Sequence, residues 1–287
     1  MNVFNEERIK KVIGARAIKK AILYLLIVIV MTMFLFPMFW FFLASLNSEE
    51  AIRGGVGLLP VNPTLDSYAK VIFGIPDFSK AFINSLIVCV CTTVLVVPLA
   101  SMAAYAFARL RFRYKRLIFF ILWMGYIIPT LAVVTPMYFL SQWLGLYDTV
   151  FVLILCYSAS LLPISIWLLR GFFLSVPREV EEAARVDGCS VFQAFWKVVV
   201  PLVKPGIAVA AVFTFIVSWN DFLFAIILTG ARTKTIQVAM AQFVGEWGVN
   251  LSNLITGGFI SMVPTVVLAL LFQKYIIKGL TEGGIKG

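Results

Sequence analysis

Long runs without a charged side chain constrain this chain more than any other feature of its sequence. A helix that crosses the hydrocarbon core of a bilayer needs about 20 apolar residues. Two apolar segments in the second half meet this length, namely Pro205 to about Gly230, which Asp221 interrupts, and a stretch within Trp247–Gln273. Four more are free of charge throughout: Ala21–Ser48, Ala81–Ala108, Leu117–Tyr147 and Thr149–Leu169. We therefore predict an all-α membrane protein with six transmembrane helices.

The composition excludes a soluble globular protein and gives little support to an enzyme. Of the 287 residues, 61% are hydrophobic and 13% are charged, whereas soluble domains are about half apolar and about a quarter charged. Histidine, the commonest general base and metal ligand, is absent from the sequence, and the four cysteines include no C-x-x-C pair. We therefore expect no catalytic residue, no metal site and no cofactor in this chain.

Lysine and arginine are distributed unequally between the segments that connect the predicted spans. The N-terminal tail holds six, Arg109–Arg116 five, the loop between the fourth and fifth spans five and the C-terminal segment three. These segments share one side of the membrane if six spans alternate, and the other side holds only five basic residues. Because basic residues accumulate on the cytoplasmic side, both termini are predicted to be cytoplasmic. The net charge of +10 then reflects orientation, and nucleic acid is not expected as a partner.

The prediction divides the chain into three parts. Residues 1–20 form a cytoplasmic N-terminal tail, residues 21–279 form the six-helix transmembrane domain, and residues 280–287 form a cytoplasmic C-terminal tail. The transmembrane domain includes a cytoplasmic loop at 171–204, called the 171–204 loop below. Glycines near the C-terminus disfavour an isolated helix after Gln273.

The 171–204 loop begins with a predicted short helix opened by Ser175 and Pro177. Glu179, Glu181 and Glu182 lie in its first turns, where unpaired backbone N–H groups favour negative charge. A glycine then follows at position 188. Because glycine adopts a left-handed conformation without strain, this position is predicted to end the helix.

A second short helix is predicted to follow Gly188. Ser190 and Gln193 have the spacing of a capping box, and Pro201 ends or bends the helix. Its apolar stripe consists of Val191, Phe192, Phe195, Trp196 and Val199. The sequence therefore predicts a helix, a glycine elbow and a second helix between two membrane spans.

This pattern resembles the EAA loop of ABC importer permeases. Glu-Ala-Ala is followed by a glycine at the seventh position and by Val198, Val200 and Pro201, where the family prefers isoleucine and leucine at the first two. In that family the loop is a coupling helix that sits in a groove of a separate ATPase subunit. The resemblance assigns ATPase coupling to Glu182, Ala183, Ala184, Asp187, Gly188 and Pro201. From the residues alone, an interfacial amphipathic helix without a partner remains the alternative.

The resemblance covers almost the whole chain and implies the type I ABC importer permease architecture. It also implies a second permease subunit, two ATPase subunits that bind ATP and Mg²⁺, and an extracytoplasmic solute-binding protein. The expected location is the cytoplasmic (inner) membrane of a bacterium or archaeon. A Gly-x-x-x-x-Gly-Lys-Ser/Thr phosphate loop is absent from the sequence, so ATP hydrolysis is assigned to the partner.

Trp219, Asn220 and Asp221 are the candidates for the substrate path. Asp221 lies 17 residues after Lys204, or about 25 Å of helix rise, in the predicted outer half of the membrane. An ionisable side chain there is costly against lipid and is expected to face a cavity or a partner. Trp219 and Asn220 offer a stacking face and amide hydrogen bonds to a sugar. A structural role for Asp221, as a helix cap or a tie to the partner permease, remains the alternative.

Sugar or oligosaccharide is the solute that the resemblance implies. Leu59–Tyr68 and Phe82–Ser85 are similar to stretches of the sugar-importer branch, and the outer segment Thr229–Asn250 is predicted to reach toward the binding protein. Glycerol phosphate or a sugar acid is the alternative within the same machinery. A proton-coupled carrier that uses Asp221 as its relay is an alternative from another class.

Overall fold

The computed structural model describes residues 3–55, 57, 59–60, 63–245 and 248–284. Its helices are α1 (Val3–Ser45), α2 (Glu49–Arg53), α3 (Asp66–Ala69), α4 (Phe78–Arg109), α5 (Lys115–Ile127), α6 (Thr130–Trp143), α7 (Val150–Ser175), α8 (Arg178–Val186), α9 (Val191–Ala194), α10 (Val200–Leu202), α11 (Lys204–Asn220), α12 (Leu223–Leu228), α13 (Ile236–Ala241) and α14 (Leu251–Gly284). Lys70–Gly74 and Phe195–Val199 are π-helical turns. Strands β1 (Val244–Gly245) and β2 (Gly248–Val249) pair antiparallel, with Val244 opposite Val249.

Among the described residues, four helical segments are long and apolar enough to cross a membrane: Ile18–Ser45, Phe78–Arg109, Val150–Ser175 and Leu251–Gly279. Two bent pairs reach the same length, α5 with α6 and Val191–Leu202 with α11, at angles of 90° and 79°. Counting each bent pair as one span gives six. The prediction of an all-α membrane protein is thereby confirmed.

The predicted third span is broken instead of continuous. Helix α5 ends at Ile127, Ile128 is extended (φ −62°, ψ 125°), and α6 begins after Pro129. Proline cannot donate a backbone hydrogen bond, and it disfavours a helical conformation in the residue before it. The break therefore falls at Ile128–Pro129. Within the described residues the other span prolines lie inside helices: Pro37, Pro98, Pro136, Pro163 and Pro264.

The predicted fifth span is also interrupted, at Asp221. Helix α11 ends at Asn220, Asp221 is extended (ψ 130°), and α12 begins at Leu223. The Asp221 carboxylate accepts hydrogen bonds from the N–H groups of Phe224 (3.1 Å) and Ala225 (3.4 Å). These are N–H groups that α12 itself leaves unpaired, so the side chain satisfies the backbone where the span restarts.

The contacts divide the chain into two units. One comprises Met1–Ala69 with Asn250–Phe259, and the other comprises Lys70–Val249 with Ile260–Gly287. In the first unit, the rings of Phe42 and Phe259 lie 5.1 Å apart between centroids. Side chains of α1 from Ile18 to Phe39 are exposed along the apolar span, as expected for a surface that lipid covers.

The core of the second unit has two clusters, each built on α4 and α7. One includes Tyr105, Leu169, Phe173, Phe195 and Val199. The other includes Val88, Val134, Leu153, Phe224 and Leu228. The first lies at the ends of these helices that are predicted to be cytoplasmic, and the second lies toward the ends that are predicted to be extracytoplasmic.

The C-terminal segment continues the helix of the last span, although its glycines disfavour an isolated helix there. Helix α14 continues from its apolar span to Gly284, because adding residues to an existing helix avoids the cost of nucleation. Gly279 lies against α7 and α11: a Cβ atom there would be 3.1 Å from Val209 Cγ2 and 3.4 Å from Phe172 Cζ. Glycine at this position therefore allows close approach of the helices. Residues 285–287 of the predicted tail lie outside the described residues.

The outer loop between the first two spans contains the short helices α2 and α3. Ser48 caps α2 by accepting a hydrogen bond from the Ala51 N–H group at 3.3 Å. Val61 and Asn62 of the sugar-importer-like stretch, and Glu246 and Trp247 of the predicted outer segment, lie outside the described residues.

Candidate functional site

The predicted glycine elbow is present at the end of α8. Gly188 has φ +90°, and its N–H group donates to the Arg185 carbonyl at 3.1 Å. The Cys189 N–H group donates to the Ala184 carbonyl at 3.0 Å. These two bonds form a Schellman motif, in which a left-handed residue closes the helix. No atom of the described chain lies within 4 Å of a Cβ built at Gly188.

The second short helix begins with the predicted capping box. Ser190 Oγ accepts from the Gln193 N–H group at 3.2 Å, and Gln193 Oε1 accepts from the Ser190 N–H group at 2.9 Å. The chain then passes through a π-helical turn and α10, and bends into α11 after Val203. Pro201 lies within α10, so the bend follows it by two residues.

Ser175 does not open α8, contrary to the prediction. It is the last residue of α7, and its hydroxyl donates to the Phe172 carbonyl at 2.8 Å. The residue before Pro177, Val176, is extended (φ −73°, ψ 128°), because proline disfavours the helical conformation there. Helix α8 therefore begins only at Arg178.

The coupling candidates lie mainly on an exposed face of the 171–204 loop. Ala184 is buried (8% exposed) and packs toward the rest of the chain. The other five are exposed: Glu182, Ala183, Asp187, Gly188 and Pro201. The structure thus presents most of the EAA residues to the outside of this chain.

The predicted apolar stripe is divided between two faces. Phe195 and Val199 are buried in the core, whereas Phe192 (64% exposed) and Trp196 (41% exposed) face outward. Val186, at the end of α8, is 87% exposed. Large exposed apolar side chains beside acidic ones are typical of a protein-binding surface.

The structure separates the three substrate-path candidates. Trp219 is buried (2% exposed): its ring is parallel to that of Phe215, with centroids 5.7 Å apart, and its indole N–H group donates to the Ser261 carbonyl at 3.0 Å. Asn220 is exposed and its amide donates to the Ile216 carbonyl at 2.8 Å. Asp221 lines a cavity to which Trp219 and Asn220 do not contribute.

This cavity, the Asp221 cavity, has a volume of about 430 Å³. It lies where the third and fifth spans break, and its walls come from α5, α6, α7, α11 and α12. The polar groups of its lining belong to Tyr126, Thr130, Tyr157, Ser160, Ser218 and Asp221. Tyr157 donates its hydroxyl to the Asp221 carboxylate at 2.9 Å. Breaks in membrane helices are tolerated where they line such a cavity.

Comparison with known proteins decides the family. Residues 96–282 match the family described as "Binding-protein-dependent transport system inner membrane component". The chain belongs to this family. It is a permease, a multi-pass protein of the inner membrane and a transport component.

Several characterised permeases are similar to it over most of their length. The trehalose transport system permease protein SugB of Mycobacterium tuberculosis is 39% identical over 256 residues, covering 88% of this chain and 93% of SugB. The trehalose/maltose transport system permease protein MalG of Thermococcus litoralis is 32% identical, covering 94% and 98%. The arabinooligosaccharides transport system permease protein AraQ of Bacillus subtilis is 32% identical, covering 89% and 92%.

The fold of the permease is also found in a solved structure. A chain of a bacterial ABC transporter involved in the import of the acidic polysaccharide alginate is 25% identical, with a TM-score of 0.73, covering 91% of this chain and 98% of that one. A second structure, of an alginate ABC transporter in complex with a periplasmic protein that holds an alginate pentasaccharide, matches with a TM-score of 0.63 at 16% identity. The ABC importer permease architecture is thereby confirmed.

Sequence reasoning missed a carboxylate that organises the predicted outer face of the permease. Asp148 (φ 55°) joins α7 to the 229–234 loop, which follows α12. Its oxygens accept from the N–H groups of Gly230 (2.8 Å), Arg232 (3.2 Å) and Thr233 (3.0 Å), and from the Thr233 hydroxyl (2.7 Å). A Cβ at Gly230 would lie 2.8 Å from Asp148 Oδ2, so any other residue there would displace the carboxylate.

The electrostatics of Asp148 follow from these contacts. Burial by itself raises the pKa of the carboxyl group, but hydrogen bonds from Thr233, Gly230 and Arg232 outweigh it and lower the pKa of Asp148 to about 2. The Arg232 side chain, 77% exposed and 3.4 Å away, adds little because water screens it. The sequence signal that could have identified Asp148 is its charge, because it is the one charged residue between the apolar runs Leu117–Tyr147 and Thr149–Leu169.

Sequence reasoning also missed two residues of α4 that contact α8. Tyr105 donates its hydroxyl to Glu181, and Arg109 lies 3.5 Å from the same carboxylate. Tyr105 lies in an apolar run, and Arg109 had been interpreted only as a cytoplasmic charge. No local pattern in the sequence identifies this pairing, because its members are 76 and 72 positions apart.

Proposed function

We propose that this permease imports a sugar or oligosaccharide, and that its solute is a neutral saccharide. It forms the path with a second permease and receives the solute from an extracytoplasmic binding protein. Two ATPase subunits, which bind ATP and Mg²⁺, drive the import. Support for the solute class comes from relatives whose names specify trehalose, maltose and arabinooligosaccharides.

The observation that carries the coupling role is the exposed face of the 171–204 loop. Val186, Phe192 and Trp196 give it apolar surface, while Glu182 and Asp187 add negative charge. A groove on an ATPase with apolar walls and a basic residue complements this face in shape and charge. In this proposal Glu182 pairs with that basic residue, and the open space at Gly188 admits the wall of the groove.

The chemistry of the Asp221 cavity supports a neutral solute. Its described lining offers hydroxyl groups and one carboxylate, and includes no lysine or arginine. Hydroxyl and carboxylate groups hydrogen-bond the hydroxyls of a sugar, while an uncompensated carboxylate repels a uronate or a phosphate. The volume of about 430 Å³ lies within the range of small-molecule sites, about 300–1,000 Å³.

The proposed mechanism is alternating access. ATP closes the two ATPase subunits on each other, and the 171–204 loop moves with the subunit that holds it. The movement reaches the broken third and fifth spans, whose short helices reorient more readily than a continuous helix. The Asp221 cavity then opens to the outside, and solute enters from the binding protein. Hydrolysis of ATP closes the cavity to the outside and opens it to the cytoplasm.

The experiment that tests this function begins with native membranes. The tagged permease is purified in detergent, its partners are identified by mass spectrometry, and the recovered complex is placed in vesicles for uptake assays with neutral and acidic sugars. We expect a second permease and an ATPase with a phosphate-loop motif to co-purify, and neutral sugar to be taken up. Recovery of the permease alone, with uptake that a protonophore abolishes, would support the proton-coupled carrier instead.

The Asp221→Asn variant tests the role of the cavity. Asparagine keeps an oxygen that can cap α12 but removes the charge, and a hydrogen bond to a charged group contributes about 1.5–3 kcal/mol. Uptake of neutral sugar is expected to fall roughly ten- to hundredfold with the complex intact. The control is Asp66→Asn, an exposed carboxylate outside this cavity. Unchanged uptake in Asp221→Asn would contradict passage of the solute beside Asp221.

A further inference from the structure

A buried ionic cluster joins α8, the helix that contains Glu-Ala-Ala, to α4, the second span. Tyr105, on α4, donates its hydroxyl to Glu181 Oε1 on α8, and Arg109 Nε lies 3.5 Å from Glu181 Oε2. The Arg109 and Glu181 side chains are 6% and 13% exposed. Glu182, the next residue of α8, is exposed. Adjacent helical residues project about 100° apart, so one glutamate faces a partner while its neighbour faces the permease.

Arg109 also holds the end of α7. Its guanidinium donates to the carbonyl of Val176, which follows the last residue of α7. Arg109, at the C-terminal end of α4, therefore contacts both the residue that follows α7 and helix α8. Within the described structure, Arg109 Nε is buried without a hydrogen bond of its own, so its charge is balanced mainly by the Glu181 carboxylate.

The ring of Tyr105 extends this connection to the second half of the 171–204 loop. It packs against Phe173 of α7, with centroids 5.9 Å apart, and against Phe195, with centroids 4.8 Å apart. Phe173 and Phe195 also contact each other, at 6.0 Å. Tyr105 thus touches α7, α8 and the segment after α9 together, and a displacement of the loop cannot leave Tyr105 behind without opening a packed core.

We propose that Tyr105, Arg109 and Glu181 form a lock that transmits movement of α8 to α4 and α7. The proposal rests on the proposed coupling function. The three are positioning residues, because they lie outside the lining of the Asp221 cavity and act through the helices that they join. Helix α7 runs from the lock to the cavity wall at Tyr157, 19 residues from Val176 and so about 28 Å along the helix axis. Helix α7 is continuous from Tyr157 to Ser175, so it links the lock to the cavity wall without a break.

The test uses the full reconstituted complex, with ATP hydrolysis and sugar uptake measured in the same vesicles. Glu181→Gln removes the charge, and Tyr105→Phe removes one hydroxyl while keeping the ring in its packed position. In each variant, ATP hydrolysis is expected to remain within about twofold of wild type while the ATP consumed per sugar imported rises about tenfold, the effect of losing one charge-assisted hydrogen bond. The double variant is expected to lose less than the sum of the two single losses, because both substitutions weaken the Tyr105–Glu181 hydrogen bond.

Two matched controls separate the lock from general damage. Tyr114→Phe removes the hydroxyl of an exposed tyrosine in the adjacent loop, and Glu179→Gln neutralises an exposed glutamate of α8. In both control variants, the ATP consumed per sugar imported is expected to equal that of the wild type. The lock is overturned if Glu181→Gln and Tyr105→Phe consume as much ATP per sugar imported as the wild type. It is also overturned if hydrolysis and uptake fall together in proportion to the amount of assembled complex. A wild-type complex that imports no sugar, or contains no ATPase, overturns the proposed function instead.

Discussion

Asp148 shows how a single side chain can organise backbone far along the chain. It accepts backbone and side-chain hydrogen bonds from residues 230–233, at the junction between α12 and the outer segment. Each backbone N–H group that it binds would otherwise lack a partner in the loop. The carboxylate thus replaces a strand or helix as the means of satisfying this backbone.

Replacing Asp148 with asparagine is expected to destabilise the permease in a pH-dependent way. The asparagine NH₂ group faces donors, so about 1–3 kcal/mol of stability is lost at neutral pH. Because the pKa of Asp148 is lowered from 3.8 to about 2, its stabilisation is full above the ordinary value and is lost as the pH falls through about 2. The difference in melting temperature between wild type and Asp148→Asn should be constant from pH 8 to 5, and should narrow below about pH 4.

The control for Asp148 is Asp77→Asn. Asp77 is exposed, has a similar left-handed conformation (φ 66°), and makes no cap hydrogen bond with its side chain. Its replacement is expected to leave the melting temperature unchanged. An equal loss in both variants would show that the left-handed conformation, and not the hydrogen bonds, sets the stability.

Gly188 is expected to be required for coupling because of its backbone conformation. At φ +90° a residue with a Cβ is strained by roughly 1–2 kcal/mol, and asparagine tolerates this region better than valine. Sugar uptake per assembled complex should fall in the order wild type, Gly188→Asn, Gly188→Val. Gly145→Val is the control, since valine at this position (φ +67°) would also be strained but the position lies outside the 171–204 loop. Equal losses in the two valine variants would contradict the elbow hypothesis.

At the scale of elements, the interrupted spans explain how this permease combines a packed core with a cavity. The breaks at Ile128–Pro129 and at Asp221 leave backbone and side-chain polar groups beside the same space. By contrast, α4 and α7 are continuous and share both core clusters. The continuous helices therefore carry the packed core, and the interrupted ones form much of the cavity wall.

Contact between α7 and α11 depends on Gly206. A Cβ at this position would lie 2.3 Å from Cγ of Phe172, so Gly206→Ala is expected to destabilise the permease by about 1–3 kcal/mol. Thermal unfolding in detergent measures the effect. Gly171→Ala is the control, because nothing lies within 4 Å of its Cβ and alanine favours a helix by about 1 kcal/mol. Combining Gly206→Ala with Phe172→Ala should recover part of the loss; no recovery would exclude the ring as the cause.

At the scale of the whole molecule, the contacts agree with the predicted grouping of the connecting segments on two sides of the membrane. Asp148 joins two segments that are predicted to be outside, and Arg109 joins segments that are predicted to be inside. The amide of Asn84, at the predicted outer end of the second span, donates to the Arg232 and Lys234 carbonyls. These contacts do not depend on the distribution of charge that suggested the topology. The direction of the whole arrangement across the membrane stays a prediction.

Cys189 provides a direct measurement of this orientation. It is half-buried on the 171–204 loop, whereas Cys89 and Cys156 are buried in spans. Cys91 is exposed but lies within the membrane-spanning helix α4, where lipid shields it from an aqueous reagent. A membrane-impermeant maleimide is expected to label Cys189 in inverted vesicles and not in right-side-out vesicles, and bound ATPase should protect it. Cys189→Ser should abolish the labelling. Labelling from the opposite side would reverse the topology and remove the 171–204 loop from reach of a cytosolic ATPase.

Local signals in the sequence determined the membrane class, the number of spans and the short helices of the 171–204 loop. The length of an apolar run sets whether a helix can span a bilayer, and Gly188 and the Ser190–Gln193 pair act within a few residues of themselves. The same holds for Asp221, whose charge within an apolar segment marked it as a candidate before its contacts were known.

Only the tertiary structure decided which side chains share a site. It buried Trp219, turned Phe192 outward and Phe195 inward, and continued α14 through glycines that disfavour helix. It also brought Tyr105, Arg109 and Glu181 together, and Asp148 to the 229–234 loop. Each outcome depends on contacts between residues far apart in the chain, which neither helix propensity nor motif spacing encodes. The sequence therefore specified the elements, and packing between them specified the cavity and the lock.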